Sequence, residues 1–113
     1  MILNEEWSNS FTRKPTVFVI DSKEVHLSAQ GSPYHHCEPE EILYSLLDYE
    51  SLEVALYNDS YEWIRPEELG FKGLEIYWGS DDVGSYVPLN KVLELADYLA
   101  SKQRERGGVD DNI

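Results

Sequence analysis

The stretch PYHHCEPEE, residues 33–41, gathers His35, His36, the single cysteine Cys37 and the glutamates Glu38, Glu40 and Glu41. Imidazole, thiolate and carboxylate are the groups that hold zinc, and a tetrahedral site needs three or four of them converging on one point. Three consecutive side chains do not converge without unusual backbone, and the C-x2-C and H-x3-H spacings that would allow it are absent. His26 would have to join from elsewhere in the chain. A thiol just ahead of a helix start is a reasonable nucleophile, because a helix N-terminus lowers its pKa. Here the neighbouring glutamates oppose that shift, and no glycine-rich oxyanion loop accompanies Cys37. We therefore expect neither a metal site nor a catalytic set, no cofactor and no enzyme. The competing enzymatic reading rests on the His35–His36–Cys37 region.

Paired carboxylates recur at Glu40/Glu41, Glu67/Glu68 and Asp81/Asp82, and their abundance makes any one pair unspecific as an acid–base or magnesium site. The segment GSDDVG looks like a phosphate loop, but it lacks the Lys-Ser/Thr ending and its aspartates would repel phosphate. The aromatics say more. Tyr57, Tyr61, Trp63, Tyr77, Trp78 and Tyr86 interleave with Asp59, Glu62, Glu67, Glu68, Glu75, Asp81 and Asp82. Tyrosine and tryptophan dominate binding hot spots, and acids around them steer and pair with a partner's Arg and Lys. Trp78 is expected in the core, and Tyr57 and Tyr77 on an open side with Glu53 and Glu75.

Charge agrees with an interaction face. The 113 residues carry a formal charge of −13, and −11 of it falls between Glu38 and Asn90, where only Arg65 and Lys72 are basic. Phosphate binding needs a surplus of bases, so nucleic acid and anionic membrane are excluded as partners and a basic protein is favoured. The longest apolar run, Val17–Ile20, is far too short to span a bilayer, and the acidic N-terminus is unlike a signal peptide. A single cysteine permits no internal disulfide, in keeping with a cytoplasmic setting.

The elements that must hold this face follow from periodicity. An arm (1–14) precedes one α+β domain (15–106) and a disordered acidic tail (107–113). TVFVID (16–21) reads as a strand buried on both faces, with a tight turn at Asp21–Lys23 and a second strand over EVHLSA (24–29). A helix is expected from Pro39 to Tyr49, with proline at its first position, acids in its first turn and Ile42, Leu43, Leu46 and Leu47 as its stripe. SLEVALYND (51–59) alternates as a strand, YEWIR is a short strand, PEELGF is a helical turn closed by Gly70, and KGLEIYW (72–78) is a further strand. The last helix spans Asn90 to Arg106, with Gly107 as its stop. The order β-β-α-β-(β)-β-α predicts a two-layer sandwich. It has a four- to five-stranded, mainly antiparallel (mixed) sheet, with a parallel pair across the first helix and both helices on one face.

A small acidic domain of this architecture resembles the immunity proteins that neutralise nuclease toxins in bacterial competition, a likeness of size, charge and architecture carried by no motif. The resemblance implies a cytoplasmic inhibitor whose partner is the basic nuclease domain of a toxin. The alternatives are a phage-type nucleic-acid mimic that blocks a host defence enzyme, and a general adaptor. Tyr57, Asp59, Tyr61, Glu62, Trp63, Glu67, Glu68, Glu75, Tyr77, Asp81, Asp82 and Tyr86 are the expected partner-binding residues.

Overall fold

The computed structural model describes residues 3–8 and 11–107, so the acidic tail expected over 107–113 lies, beyond Gly107, outside the described residues. Five strands form one sheet: β1 (Thr16–Ile20), β2 (Lys23–Gln30), β3 (Ser51–Tyr57), β4 (Trp63–Ile64) and β5 (Gly84–Pro88). One helix, α1 (Leu89–Gly107), follows directly. The sequence yields an α+β fold, but with one α-helix rather than two among the described residues.

β1 and β2 are joined by a two-residue turn in which Asp21 (φ 53°) and Ser22 (φ 67°) are both left-handed, the geometry that matches the twist of a hairpin. Ile20 then faces Lys23, and the register runs on through Phe18 opposite Val25 to Thr16 opposite Leu27. β3 lies at the centre. One of its edges pairs with β2, placing Leu27 opposite Leu56 and Ala29 opposite Val54. Its other edge is shared: β4 takes Leu56 and Tyr57, and β5 takes Ser51, Leu52 and Val54 across a register irregularity. All four pairings are antiparallel, so the expected mixed sheet with a parallel pair is corrected.

One sheet face and one helix stripe build the core. Phe18, Val25, Leu27, Ala29, Leu52, Val54, Leu56 and Val87 are buried, as are Val92, Leu95, Ala96, Leu99 and Ala100 of α1. The helix positions recur at i, i+3, i+4, i+7 and i+8, the spacing of a single packed face. Near its end, Gln103 accepts a hydrogen bond from the Val19 amide at 2.5 Å, occupying a backbone donor that edge strand β1 would otherwise present. Val17 and Val19 are 44% and 46% exposed, so β1 is buried on one face and not on both. With one helix for two faces, the second face of the sheet stays uncovered by any helix among the described residues.

The expected helix at 39–49 is a loop containing only a short 3-10 turn, Leu46–Asp48. Its backbone groups, which an α-helix would satisfy internally, are claimed by two side chains of the N-terminal stretch and by the segment's own Tyr49. Arg13 Nη2 donates to the Leu43 carbonyl, Glu5 accepts from the Leu46 amide, and the Tyr49 hydroxyl accepts from the Leu43 amide and reaches the Glu41 and Gly31 carbonyls. Of the apparent stripe only Leu46 is fully buried, while Ile42 and Leu47 are half-exposed. Ser45 caps the short turn by accepting from the Leu47 amide.

The strand expected at 72–78 is likewise a turn. Leu74 and Trp78 are buried but Ile76 is 85% exposed, which breaks the alternation on which that strand rested. Trp78 makes one isolated pairing with Gly84 and packs on it so closely that a Cβ there would meet the indole at 2.5 Å. The fifth strand is instead Gly84–Pro88. The turn expected at PEELGF is present as Pro66–Leu69, closed by Gly70 at φ 88°.

The N-terminal stretch contributes to the interior, with Leu3 and Arg13 both buried. Arg13 stands where the β1–β2 ladder would continue opposite Gln30, and the Gln30 amide takes the place of a strand. Its Oε1 accepts from the Arg13 amide at 2.7 Å and its Nε2 donates to the Arg13 carbonyl at 2.6 Å.

Candidate interaction face

Strand alternation sends every second side chain away from α1. One row of this outer face crosses four strands: Val17 on β1 stands opposite His26 on β2, His26 opposite Tyr57 on β3, and Tyr57 opposite Trp63 on β4. The His26 and Tyr57 rings stack at 5.2 Å, and Trp63 meets Tyr57 edge-on at 6.2 Å. Tyr61, in the β3–β4 turn, lies on the other side of Tyr57 at 5.9 Å and is 80% exposed. Asn58 shapes that turn, its Oδ1 accepting from the amides of Ser60 and Glu62 while its Nδ2 donates to the Glu62 carboxylate. Partial burial, with Tyr61 adding to it, raises the Tyr57 hydroxyl pKa above the ordinary value.

Carboxylates border this row. Glu24 lies 2.8 Å from His26 Nε2 on the same face. Asp59 and Glu62 flank Tyr61 in an exposed turn. At the far end of β3, Glu53 accepts from the His36 amide and lies 3.5 Å from its Nδ1. His36 stacks on Tyr86 at 5.6 Å, and the Tyr86 hydroxyl donates to Glu40 at 3.3 Å. Desolvation first, then the charge of Glu40, raises the Tyr86 hydroxyl pKa.

Of the residues expected at the interface, the fold gathers Tyr57, Asp59, Tyr61, Glu62 and Trp63 at one end of the open face and Tyr86 at the other. It uses the rest differently. Glu67 and Asp82 close on Arg65 at 3.0 and 3.5 Å, and Glu68 accepts the Arg65 amide. These contacts hold Arg65 as an internal clasp for the 66–82 segment, and its hydrogen bonds to Glu67 and Asp82 raise its pKa despite some desolvation. Asp81 accepts from the Val83 amide, and Glu75 accepts from Gly73, hydrogen bonds of the latter kind keeping its pKa low. Tyr77 is half-buried against the core. Sequence reasoning missed His36, Glu24 and Glu40 as members of the face, although the alternation of EVHLSA already placed His26 away from Val25 and Leu27.

The His35–His36–Cys37 trio separates. The His35 ring bonds Ser32 Oγ at 2.7 Å, His36 turns to Ser85 and Tyr86, and the Cys37 thiol is buried, donating toward the Ser32 and Pro39 carbonyls. Burial, helped by the charges of Glu40, Glu53 and Glu38, pushes the Cys37 thiol pKa up, and burial lowers that of His35. Among the described residues no group of three or more His, Cys, Asp and Glu side chains is arranged to hold a metal ion. No helix of the described chain is long and apolar enough to cross a membrane. No family model, no characterised protein and no solved structure matches this chain.

Proposed function

We propose that this protein is a non-catalytic binding protein of the immunity type, which covers and inhibits a basic protein partner, a nuclease toxin domain, with the open face of its sheet. The observation that carries the reading is the cross-strand row Val17–His26–Tyr57–Trp63 on the face away from α1. Such a row offers apolar and aromatic area already ordered by strand pairing, so little side-chain entropy is lost on docking. The carboxylates along its border, in a chain of net charge −13, suit a partner that must be basic where it holds phosphate. The mimic reading is less well supported, because Glu67 and Asp82 are engaged by Arg65 rather than spaced along a free ridge.

The test is inhibition. Basic nuclease toxin domains, including the product of any toxin-like gene adjacent to this one, are assayed on plasmid DNA with and without an equimolar amount of the protein. Inhibition at that ratio, relieved by Trp63→Ala, supports the proposal. Full nuclease activity across the panel sinks it.

A further inference from the structure

We infer that Tyr61 and Tyr86 are two arginine-receiving points of the open face, each a stacked ring beside a carboxylate; this deepens the proposed docking of a basic protein and rests on it. The starting observation is backbone conformation. Five described residues other than glycine have positive φ: Asp21, Ser22, Tyr61, Asp82 and Tyr86. Asp21 and Ser22 are required by the hairpin turn. Asp82 is one of the short polar residues that tolerate this region, and it is held by Arg65. Tyr61 ends the β3–β4 turn, its amide donating to the Asn58 carbonyl, and Tyr86 lies at the β5 register irregularity. Both geometries call for positive φ, but they favour glycine or asparagine and here hold tyrosine. A left-handed residue with a large Cβ substituent is strained, and such strain persists where surrounding structure over-determines it, commonly at binding sites.

Burial does not offset the strain either, since Tyr61 is 80% and Tyr86 42% exposed. What the conformation achieves is presentation. Both rings stand outward at the same 26° to a second ring beneath, Tyr57 in one case and His36 in the other. Each has a carboxylate as a neighbour: Glu62 is the next residue in the exposed turn, fixed by Asn58, and Glu40 is bonded to the Tyr86 hydroxyl. A planar guanidinium is the cation that stacks on an aromatic face while forking two N–H groups to a carboxylate, whereas an ammonium offers only a point charge.

The spacing is set by β3. Tyr61 packs on Tyr57, and Tyr86 is tied through His36 to Glu53, its amide donating to the His36 carbonyl while the His36 amide donates to Glu53. Four residues of strand separate these two foundations, roughly 13 Å. The partner is thus a protein surface carrying two arginines about that far apart, as at i and i+4 of an extended strand or about eight residues apart on a helix.

The experiment is a low-salt NMR titration with the peptide acetyl-Arg-Gly-Gly-Gly-Arg-amide, against the matching lysine peptide. Ring protons of Tyr61 and Tyr86 should shift saturably, while those of Tyr44, 95% exposed and outside both points, stay still. The arginine peptide should bind about threefold or more tightly than the lysine peptide, because only the guanidinium stacks on the ring and forks to the carboxylate together. Tyr61→Leu, which keeps apolar bulk without the ring, and Tyr86→Leu should each weaken it by a similar factor. If the Trp63 indole and the face amides respond but neither tyrosine ring does, or if both peptides bind alike, the two receiving points are wrong and the open face as a docking surface stands. If nothing on the face responds to either peptide, both the points and the face are overturned.

Discussion

The Arg13 guanidinium, with no exposed side-chain surface, lies 3.5 Å from the Glu5 carboxylate, close enough for attraction but too long for a good hydrogen bond. Its Nε and Nη1 have no hydrogen-bond partner among the described residues, and the Trp7 ring covers it at 4.2 Å. Its short bond goes to the Leu43 carbonyl, with the Tyr44 carbonyl a long contact at 3.5 Å, and Glu5 bonds Ser45 and the Leu46 amide. The pair thus substitutes for the backbone ladder of a helix that does not form. Arg13→Ala leaves those carbonyls unsatisfied and opens a cavity, so unfolding stability should fall by roughly 2–5 kcal/mol, the cost of a large-to-small change at a fully buried site that also orphans buried acceptors. Glu5→Gln leaves the buried guanidinium without its counter-charge and should also destabilise, by an amount reduced because the Glu5 side chain is 36% exposed. Chemical denaturation measures both, and a loss under about 1 kcal/mol for Arg13→Ala would show that the loop is held by other contacts.

Association kinetics separate charge from contact on the open face. Charge reversal at Asp59 and Glu62 should slow association with the partner and weaken its salt dependence, since rim charges act on encounter and steering is worth about 10–10³ in rate. Trp63→Ala should instead speed dissociation, at a cost of roughly 2 kcal/mol if the indole is a hot spot. Glu94, exposed on α1 on the opposite side of the sheet, is the control. Equal effects from Glu94 and the turn acids would mean that the charge serves solubility alone. Tyr77, half-buried, is expected to affect folding more than binding.

The β1–β2 turn predicts a gain. Asp21 and Ser22 both hold left-handed conformations that Asn-Gly adopts more readily. The double substitution Asp21→Asn with Ser22→Gly should raise stability by about 1 kcal/mol, read from the denaturation midpoint. A loss of stability would mean that the side chains at this turn contribute contacts worth more than the strain.

His35 makes stability pH-dependent in one direction. Burial lowers its folded pKa below the ordinary 6.5, so the unfolded chain binds the proton more readily. The contribution is fully present above 6.5 and is lost as pH falls through the lowered folded value. Thermal unfolding midpoints should therefore drop between pH 7.5 and 5.5, and His35→Asn should flatten part of that slope while leaving the pH 7.5 value nearly unchanged. An unaltered slope in the variant would assign the effect elsewhere.

What the sequence determined by itself is the set of elements whose stabilising contacts are local or repeat with a simple period. Lys23–Gln30 and Ser51–Tyr57 are legible because their core residues alternate, and α1 because Val92, Leu95, Ala96 and Leu99 hold a helical period beside good helix formers. The acidic stretch and its aromatics are visible for the same reason, being composition. Tertiary structure decided the rest. The 39–49 segment has a helical pattern, a proline start and acids in place, yet Arg13 and Glu5 reach its backbone from 30 and 41 residues away, a separation that leaves no trace in a local window, and Tyr49 folds back onto it from its own end. The 72–78 segment alternates like a strand, but Trp78 packs on Gly84 and hands the ladder to Gly84–Pro88. The same holds for the face: alternation could place Tyr57 opposite Leu56's side of the sheet, but only strand pairing could set it between His26 and Trp63, because register is a relation between distant segments.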